Sequence, residues 1–449
     1  MKNLLVLLCI LIPISLSAQS GSKDGSFNAS KIDQLQIIVD AGMTINITGS
    51  NTDKITYTYD FDGNDEAYNH RFLNFDPTFT SNSGNGLLKI EFPEHKKKNV
   101  NYRIKKNILT LNIPREIELR LDTRYSKVQI NSIARTTNIT NRSGSVKLRN
   151  IGQSATIDND YGDIDAEFVN GDLTCSSRSS RIDVKNIQGN FKASSNYSKI
   201  NVTKVTGQIT IENKSGTINA FDLDSDFYSN GDYSDYELTD IRGEIQIMSK
   251  NGTVKIDKAE SISIGGDYTD VTGINLRGDD VQIQGKSAKV ELDNVLGRVR
   301  IDGSYLDIEL TNIEKEVYIT NRSGKINAEM IKGSFQMYGD YNKIKLNKFL
   351  GDKIDIQNRS GNIDIDSESK LTQMIIDASY TDVQVNLESP FNGSVYFDVT
   401  YGKLEQPFKL NNATFTNENN SKIVEGSVGN ENSVFRIKSR NGDVKVTQN

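Results

Sequence analysis

The sequence predicts an all-β chain, folded as a single parallel β-helix (β-solenoid) with about 18 residues per coil. Two observations predict it. An aliphatic or tyrosine residue follows each turn, at a step of 18 in the first eight coils and of 17 to 21 beyond them, and the turns alternate between two types, giving a full period of about 36 residues. The first members of the series are Val128, Val146, Ile164, Ile182, Ile200, Ile218, Tyr236 and Val254. A fixed short period indicates stacked structural units, so equivalent residues of successive coils should be neighbours in space.

The strand prediction comes from alternation inside each coil. In the coil Lys199–Gly216, Ile200 and Val202 alternate with polar residues, as do Ile209 and Ile211. A period of two is typical of a strand that presents one face to a core. Because 18 residues cannot bury an apolar face alone, we expect parallel, in-register pairing of each coil with its neighbours.

The turns combine residue types that accept tight backbone geometry. One type is centred on tyrosine, and the other, which we call the Arg-Ser-Gly-type turn, reads asparagine, cation, serine, glycine. Asparagine and glycine tolerate the left-handed conformation that such turns require. Examples are Asp160-Tyr161-Gly162 and Asn196-Tyr197-Ser198 for the first type, and Asn141–Gly144, Asn213–Gly216, Asn321–Gly324 and Asn358–Gly361 for the second.

The strength of the repeat divides the chain into four segments. Lys2 followed by the short apolar run Leu4–Leu16 is typical of a secretory signal peptide. Irregular segments at the two ends of a repeat array are typical of caps. The predicted segments are the signal peptide at 1–18, irregular β coils with a cap at 19–120, the regular β-solenoid at 121–404, and a C-terminal cap with an inserted loop at 405–449.

Composition excludes several classes of partner and of covalent link. The net charge of -6 and the lack of a basic domain argue against a nucleic-acid partner. No transmembrane segment is predicted in the mature chain, which would be exported to the periplasm or the cell surface of a bacterium. Cys175 would be its single cysteine, so no intramolecular disulfide can form, and its inward position predicts a buried, inert thiol. We predict no cofactor.

Two neighbouring columns of turn residues are the candidate ligand-binding surface. One column alternates cations with aspartate or small polar residues, and the other alternates tyrosine with serine or asparagine. Tyrosine rings would repeat at roughly 10 Å, twice the coil spacing, which is comparable to the disaccharide repeat of an extended glycan. A packed tyrosine ladder sealing the turn edge is the alternative. The candidates are Tyr161, Tyr197, Tyr233, Tyr268, Tyr305, Tyr341, Arg142, Arg178, Arg322 and Arg359.

Catalytic and metal sites have little support in the sequence. A carbohydrate-active β-helix enzyme needs convergent carboxylates, or a base with a cation, in a cleft. The near-uniform coils between residues 127 and 402 predict no cleft, and outward carboxylates such as Asp364 and Asp366 should be solvated. The minor alternatives are a metal at His70 and His95 and an anionic-polymer contact at Lys96–Lys98.

The chain also resembles a known family, the bacterial putative-adhesin β-solenoids, which are domains of unknown function related to autotransporter-adhesin head domains. The matching features are the stretch Asn112–Leu119, turns such as Asn321–Ile326, and the ending Arg436–Val444. They cover most of the mature chain, but they describe coils and not a site. The resemblance implies export and a β-helix, and it offers no established catalytic residues.

Together these observations predict an exported, non-enzymatic, adhesin-like module of the cell envelope or surface that binds through weak contacts repeated along a rod. The partners considered are a glycan, peptidoglycan or another envelope protein. The alternative is a carbohydrate-active β-helix enzyme, a polysaccharide lyase or hydrolase, with its chemistry in the irregular segment 62–107. A spacer without a ligand is the third interpretation.

Overall fold

The computed structural model describes residues 18–93, 103–430 and 432–449. It contains two compact units, unit 1 (Met1–Asn170) and unit 2 (Gly171–Asn449). Both are built from β-strands that pair in parallel at a step of about 18 residues, which confirms the predicted fold class. Of the predicted signal peptide, residues 1–17 lie outside the described residues, as do His95 and Lys96–Lys98.

Unit 1 combines solenoid coils with an antiparallel layer. One helical segment, α1 (Asp65–Ala67), runs directly into a π-helical turn at Tyr68–Phe72. The strands are β1 (Ala18–Asn28), β2 (Gln34–Val39), β3 (Thr44–Ser50), β4 (Lys54–Asn64), β5 (Thr78–Asn82), β6 (Asn85–Ile90), β7 (Ile104–Pro114), β8 (Glu118–Thr123), β9 (Lys127–Ile133), β10 (Thr137–Ser143), β11 (Val146–Ile151), β12 (Ala155–Tyr161) and β13 (Ile164–Val169).

The coils of unit 1 follow the predicted register from residue 128 onward. Val146 of β11 is paired with Val128 of β9 on one side and with Ile164 of β13 on the other. The chain is less regular before that point, because β2 pairs in parallel with both β6 and β8, while β3 pairs with both β7 and β9. Strands β1, β4 and β7 pair antiparallel, an arrangement that the sequence did not indicate.

An aromatic cluster packs beside this antiparallel layer. Tyr59 and Phe61 of β4 are buried, and the ring of Phe75 stacks on Tyr59 at a centroid distance of 4.1 Å. The Tyr59 hydroxyl donates to Asn107 Oδ1 at 2.8 Å, and burial raises the pKa of Tyr59 above its usual value. This cluster gives the β1–β4–β7 layer an apolar core of its own.

Unit 2 contains the most regular coils. Its strands are β14 (Leu173–Ile187), β15 (Phe191–Val205), β16 (Ile209–Leu223), β17 (Phe227–Ile241), β18 (Ile245–Ala259), β19 (Ile262–Gly266), β20 (Tyr268–Leu276), β21 (Asp280–Val295), β22 (Arg298–Ile313), β23 (Val317–Ile331), β24 (Phe335–Phe349), β25 (Lys353–Ser367), β26 (Gln373–Ser379), β27 (Thr381–Leu387), β28 (Gly393–Thr400), β29 (Leu404–Glu405), β30 (Asn411–Glu418), β31 (Ser421–Val428), β32 (Ser433–Arg440) and β33 (Val444–Gln448).

Each long strand of unit 2 runs through a turn without leaving the ladder. Ile200 pairs with Ile218, which pairs in turn with Tyr236, so the predicted step of 18 is the observed register. Ile209 and Ile211 are fully buried, as the alternation predicted. These inward residues form apolar columns that a single coil could not bury alone.

The end of unit 2 contains a hairpin. Strands β30 and β31 pair antiparallel with each other, and β31 also pairs antiparallel with β28. After this hairpin, β33 returns to the parallel stack, where Val444 pairs with Val383. The break in the repeat therefore corresponds to an inserted antiparallel hairpin, after which the register is restored.

The corner of each coil depends on one residue in the left-handed conformation. In the coil Lys199–Gly216 this residue is Lys204, with φ of 55°, directly before the inward Val205. Asn186 and Asp222 occupy the equivalent positions with φ near the same value. Gly207 lies just beyond, and a Cβ there would be 2.5 Å from the backbone carbon of Gly189 in the preceding coil. The left-handed residue has no fixed type, so the sequence pattern does not mark it.

Cys175 is buried on the inward face, as predicted. Burial raises the pKa of its thiol to about 12, so the thiol stays protonated at pH 8. With Cys9→Ala present, we expect Ellman's reagent at pH 8 to leave the folded protein unmodified and to label one thiol in denaturant. Fast labelling without denaturant would contradict burial of Cys175.

Candidate functional site

Five of the exposed tyrosines of unit 2, which we call the tyrosine row, lie at the turns. Between 51% and 63% of each residue is exposed. Tyr197 and Tyr233 both pair in register with Ser215, and Tyr233 and Tyr268 both pair with Asn251. The row comprises Tyr197, Tyr233, Tyr268, Tyr305 and Tyr341.

The small residue between successive tyrosines explains the exposure of the rings. Serine or asparagine does not cover a neighbouring ring, so every second coil presents an open aromatic side chain. At least half of each residue is exposed, so the rings are open to solvent as well as able to pack along the turn edge. The sixth candidate, Tyr161, lies in unit 1, where it is 42% exposed and pairs with Ser143.

The asparagine of the Arg-Ser-Gly-type turn links two coils. Asn213 is buried; its Nδ2 donates to the Ser198 carbonyl at 3.1 Å, and its Oδ1 accepts from the Ser198 amide at 3.3 Å. Asn321 makes the same two bonds to Leu306, at 2.9 and 3.1 Å. These side chains satisfy backbone groups of the preceding coil that would otherwise be buried without partners.

The glycine of the same turn cannot be replaced by a residue with a Cβ without strain. Gly216 has a φ of +139°, and a Cβ there would lie 2.1 Å from the Ser198 carbonyl oxygen. Asparagine and glycine therefore hold the coils together, and only the cation is left as the fully outward position. Arg142, Arg322 and Arg359 are exposed at that position, and Arg178 is exposed at the equivalent position of a turn that reads Ser177-Arg178-Ser179-Ser180.

The charge alternation in the cation column forms ion pairs in unit 2. Lys250 Nζ lies 2.7 Å from Asp232 Oδ1, and Lys286 Nζ lies 3.0 Å from Asp267 Oδ1. The Asp232 carboxylate raises the pKa of Lys250 above its usual value. In unit 1, the Arg142 guanidinium lies 6.0 Å from the centre of the Tyr125 ring. Because aspartates pair with the lysines, the column is not a strongly cationic stripe.

A shallow depression lies beside the tyrosine row and is lined by strand and turn residues of successive coils. It has a volume of about 560 Å³ and lies wholly in unit 2, between Asn230 and Thr320. Glycines line it at several coils, among them Gly265, Gly266 and Gly285. A Cβ at Gly266 or Gly303 would point inward, toward the buried side chains of Thr269 and Leu306, so these glycines make room for core side chains.

The other candidate sites lie only partly within the described residues, because His95 and Lys96–Lys98 fall outside them. In the described part of the chain, no group of three or more His, Cys, Asp or Glu residues could hold a metal ion. His70 Nε2 lies 2.8 Å from the Pro93 carbonyl oxygen, to which it can donate. Asp366 accepts from Asn386 Nδ2 at 3.1 Å, while Asp364 is exposed. None of the helices among the described residues has the length and apolar character needed to cross a membrane.

The chain is similar to a protein family and to several solved structures. The family model described as Toastrack DUF4097 matches residues 32–234 and 336–447. No curated protein matches the chain. A solved putative cell adhesion protein from Clostridium sporogenes is 10% identical, with 96% of this chain and 100% of that chain covered and a TM-score of 0.21. A putative adhesin from Parabacteroides distasonis is 16% identical, with 61% of this chain and 97% of that chain covered and a TM-score of 0.22. A putative lipid binding protein from the same species is 12% identical, with 75% of this chain and 96% of that chain covered and a TM-score of 0.17.

Proposed function

The chain belongs to the Toastrack DUF4097 family, and from that premise we propose that it is a non-enzymatic, adhesin-like binding module of the cell envelope or surface. It holds a polymeric ligand through weak contacts repeated along its coils. The single observation that carries this proposal is the tyrosine row, whose rings are exposed at every second coil of a regular stack.

A row of this kind suits a polymer better than a small molecule. Exposed aromatic side chains grouped on one surface mark interaction sites, and tyrosine combines an apolar face with a polar hydroxyl. The rings recur at about twice the coil spacing, roughly 10 Å, so a repetitive ligand can contact several at once. Weak contacts at fixed spacing add up to a much higher overall affinity.

The ligand favoured by this surface is a glycan, including the glycan strands of peptidoglycan. Flat sugar faces match exposed tyrosine rings, and the neighbouring charge column is largely neutralised by the Lys250–Asp232 and Lys286–Asp267 pairs. A strongly acidic polymer would need unpaired cations. Export to the periplasm or the cell surface, by the signal peptide proposed at residues 1–18, would place the module where such polymers occur.

The test is binding to a glycan array and to purified peptidoglycan. We expect the double variant Tyr197→Ala, Tyr341→Ala to bind about tenfold to thirtyfold more weakly, because two ring contacts of about 1 kcal/mol each are lost. The control is Phe221→Ala, which removes a 52% exposed ring outside the row and should bind normally.

Three outcomes would overturn the proposal. Unchanged binding by the double variant would exclude the row, and release of shortened products from any polysaccharide would establish the enzyme alternative. Failure of the wild-type protein to bind any glycan or peptidoglycan would exclude this ligand class and leave an envelope protein partner or a spacer role.

A further inference from the structure

The outermost strand of unit 2, β30, has one free edge. It pairs antiparallel with β31, and β31 pairs on its other side with β28 of the last coil. Among the described strands, β31 is the only partner of β30. Every residue of β30 except Thr416 is exposed. Backbone amide and carbonyl groups along this edge are therefore open for pairing with another strand.

The turn of the hairpin determines which backbone groups face the free edge. Asn419 and Asn420 have positive φ values of 50° and 62°, so a two-residue turn directly follows Glu418. From such a turn, antiparallel pairs alternate between pairs that exchange hydrogen bonds and pairs that do not. Phe415 and Asn417 belong to the second kind, so their amide and carbonyl groups point away from β31.

The side chain of Phe415 is uncovered at the end of an apolar column. Phe397 is fully buried and pairs with Val424, which is also buried and pairs with Phe415. Phe415 is 69% exposed, the highest value of any large apolar side chain in the described part of the chain. The core of the last coil is closed by Phe408 instead, whose ring centre lies 6.3 Å from that of Phe397 and 5.4 Å from that of Phe435. An exposed ring beside a free strand edge is typical of an interaction surface.

A hairpin of unit 1 shows how a ring in this position is covered. In the β5–β6 hairpin, Phe79 pairs with the buried Leu88, as Phe415 pairs with Val424. Threonines flank the phenylalanine in both hairpins. Phe79 is only half-exposed, because the ring of Phe27 from β1 lies against it with ring centres 5.4 Å apart. The cover at the equivalent place in unit 1 is therefore a second aromatic ring carried by another strand.

We propose that two copies of the chain dimerise through β30, edge to edge and antiparallel. With the two-fold axis at Phe415, this residue pairs with Phe415 of the second copy, and Asn417 pairs with Ala413 of the second copy. The residues at the axis direct their backbone groups to the free edge, so they can exchange hydrogen bonds. The same pairing covers each Phe415 ring with its counterpart. This inference goes beyond the proposed function and does not rest on it.

The charge pattern of the edge suits a second copy of the same strand. Strand edges that avoid self-pairing usually carry lysine or another charge. The stretch Asn411–Asn417 carries none, and Glu418 comes beside Asn412 of the second copy, so no like charges meet. A register shift between Asn411 and Thr414 shortens the regular edge. The interface is therefore small, and we expect a dissociation constant of roughly 10–100 μM.

Sedimentation velocity of the full protein, from about 1 μM to about 500 μM, tests the dimer. Phe415→Lys removes the ring and sets two like charges against each other across the axis. The matched control is Thr414→Lys, which adds the same charge on the other face of the strand, opposite Thr416 of the second copy. Both positions are exposed in the single chain, so both variants should fold, which circular dichroism melting checks.

We expect the wild type to form dimers as its concentration rises. Phe415→Lys should weaken dimerisation about tenfold or more, because an aromatic contact is replaced by repulsion. Thr414→Lys should dimerise nearly as the wild type does. A wild type that stays monomeric at every concentration would overturn the proposal and leave the edge to a strand of a different protein. Equal dimerisation of Phe415→Lys and the wild type would also overturn it, since the contact would then lie elsewhere.

Disulfide formation tests the register of the dimer. In a chain with Cys9→Ala and Cys175→Ala, Phe415→Cys places two thiols opposite each other, on Cα atoms about 5.5 Å apart. Glu418→Cys is the control, because its thiol lies about 20 Å from its counterpart across the same axis. We expect mild oxidation to link the first variant into covalent dimers and to leave the second monomeric. Equal linkage of the two variants would contradict pairing centred on Phe415, whereas the glycan proposal would be unaffected.

Discussion

Gly216→Ala is expected to lower the free energy of unfolding by about 3–4 kcal/mol, because any residue with a Cβ is strained at its backbone conformation. The φ of Gly216 is +139°, and the added carbon would lie 2.1 Å from the Ser198 carbonyl oxygen in the preceding coil. That oxygen belongs to a backbone group already held by Asn213. Relief of the contact must therefore separate two coils or break the asparagine bridge.

Thermal melting measures this effect. A loss of about 3 kcal/mol corresponds to a fall in the melting temperature of roughly 6–12 °C for a unit of this size. Ser215→Ala is the matched control in the same turn, since it removes only a hydroxyl from a partly exposed side chain and should change the melting temperature little. Equal melting of Gly216→Ala and the wild type would mean that the turn geometry described above is wrong.

Ile211→Asp is expected to be at least as damaging, with a loss of about 4 kcal/mol or more, because it places an unpaired charge in the apolar column. Ile211 is fully buried and pairs in register with Ala193 and Ser229. No cation belongs to that column, so the carboxylate would be protonated or would force the coil open.

Thr210→Asp provides the comparison for this second prediction. Thr210 is the preceding residue on the same strand, faces outward and pairs with Lys192. An aspartate there should change the free energy of unfolding by less than about 1 kcal/mol. Chemical denaturation distinguishes the two substitutions. Similar losses for both would contradict the inward and outward assignment of this strand.

Much of the solenoid could be predicted because the step of the sequence repeat is also the step of the strand pairing between coils. The step from Ile200 to Ile218 to Tyr236 is the observed pairing, and the alternation at Ile209 and Ile211 is the observed burial. In a stack, each coil repeats the environment of the last, so the same residue types recur at the same step.

Other features depend on contacts that cannot be inferred from the spacing of the repeat. Asn213 was interpreted as a residue suited to turn geometry, whereas its main role is the bridge to Ser198. The left-handed corner residue varies from Asn186 to Lys204 to Asp222, so no residue type marks it. The antiparallel layer of β1, β4 and β7 lies where the 18-residue step is absent, and pairing partners there are set by long-range packing.

The candidate site was predicted only in part. The positions of the tyrosines follow from the repeat. Their exposure depends on the serine or asparagine that pairs with each of them, and the sequence was also compatible with a packed tyrosine ladder. The depression between Asn230 and Thr320 was not predicted, because the shape of a surface depends on side-chain packing and not on the step of the repeat.

The central claim, that residues one coil apart are neighbours in the stack, is tested most directly by disulfide formation. In a chain with Cys9→Ala and Cys175→Ala, Lys199→Cys and Thr217→Cys occupy paired positions on β15 and β16, and Cα atoms of paired strands are about 5 Å apart. We expect mild oxidation to link this pair in full, and Lys199→Cys with Asn219→Cys, two residues out of register, to stay reduced. Linkage of the second pair and not the first would contradict the stacked register.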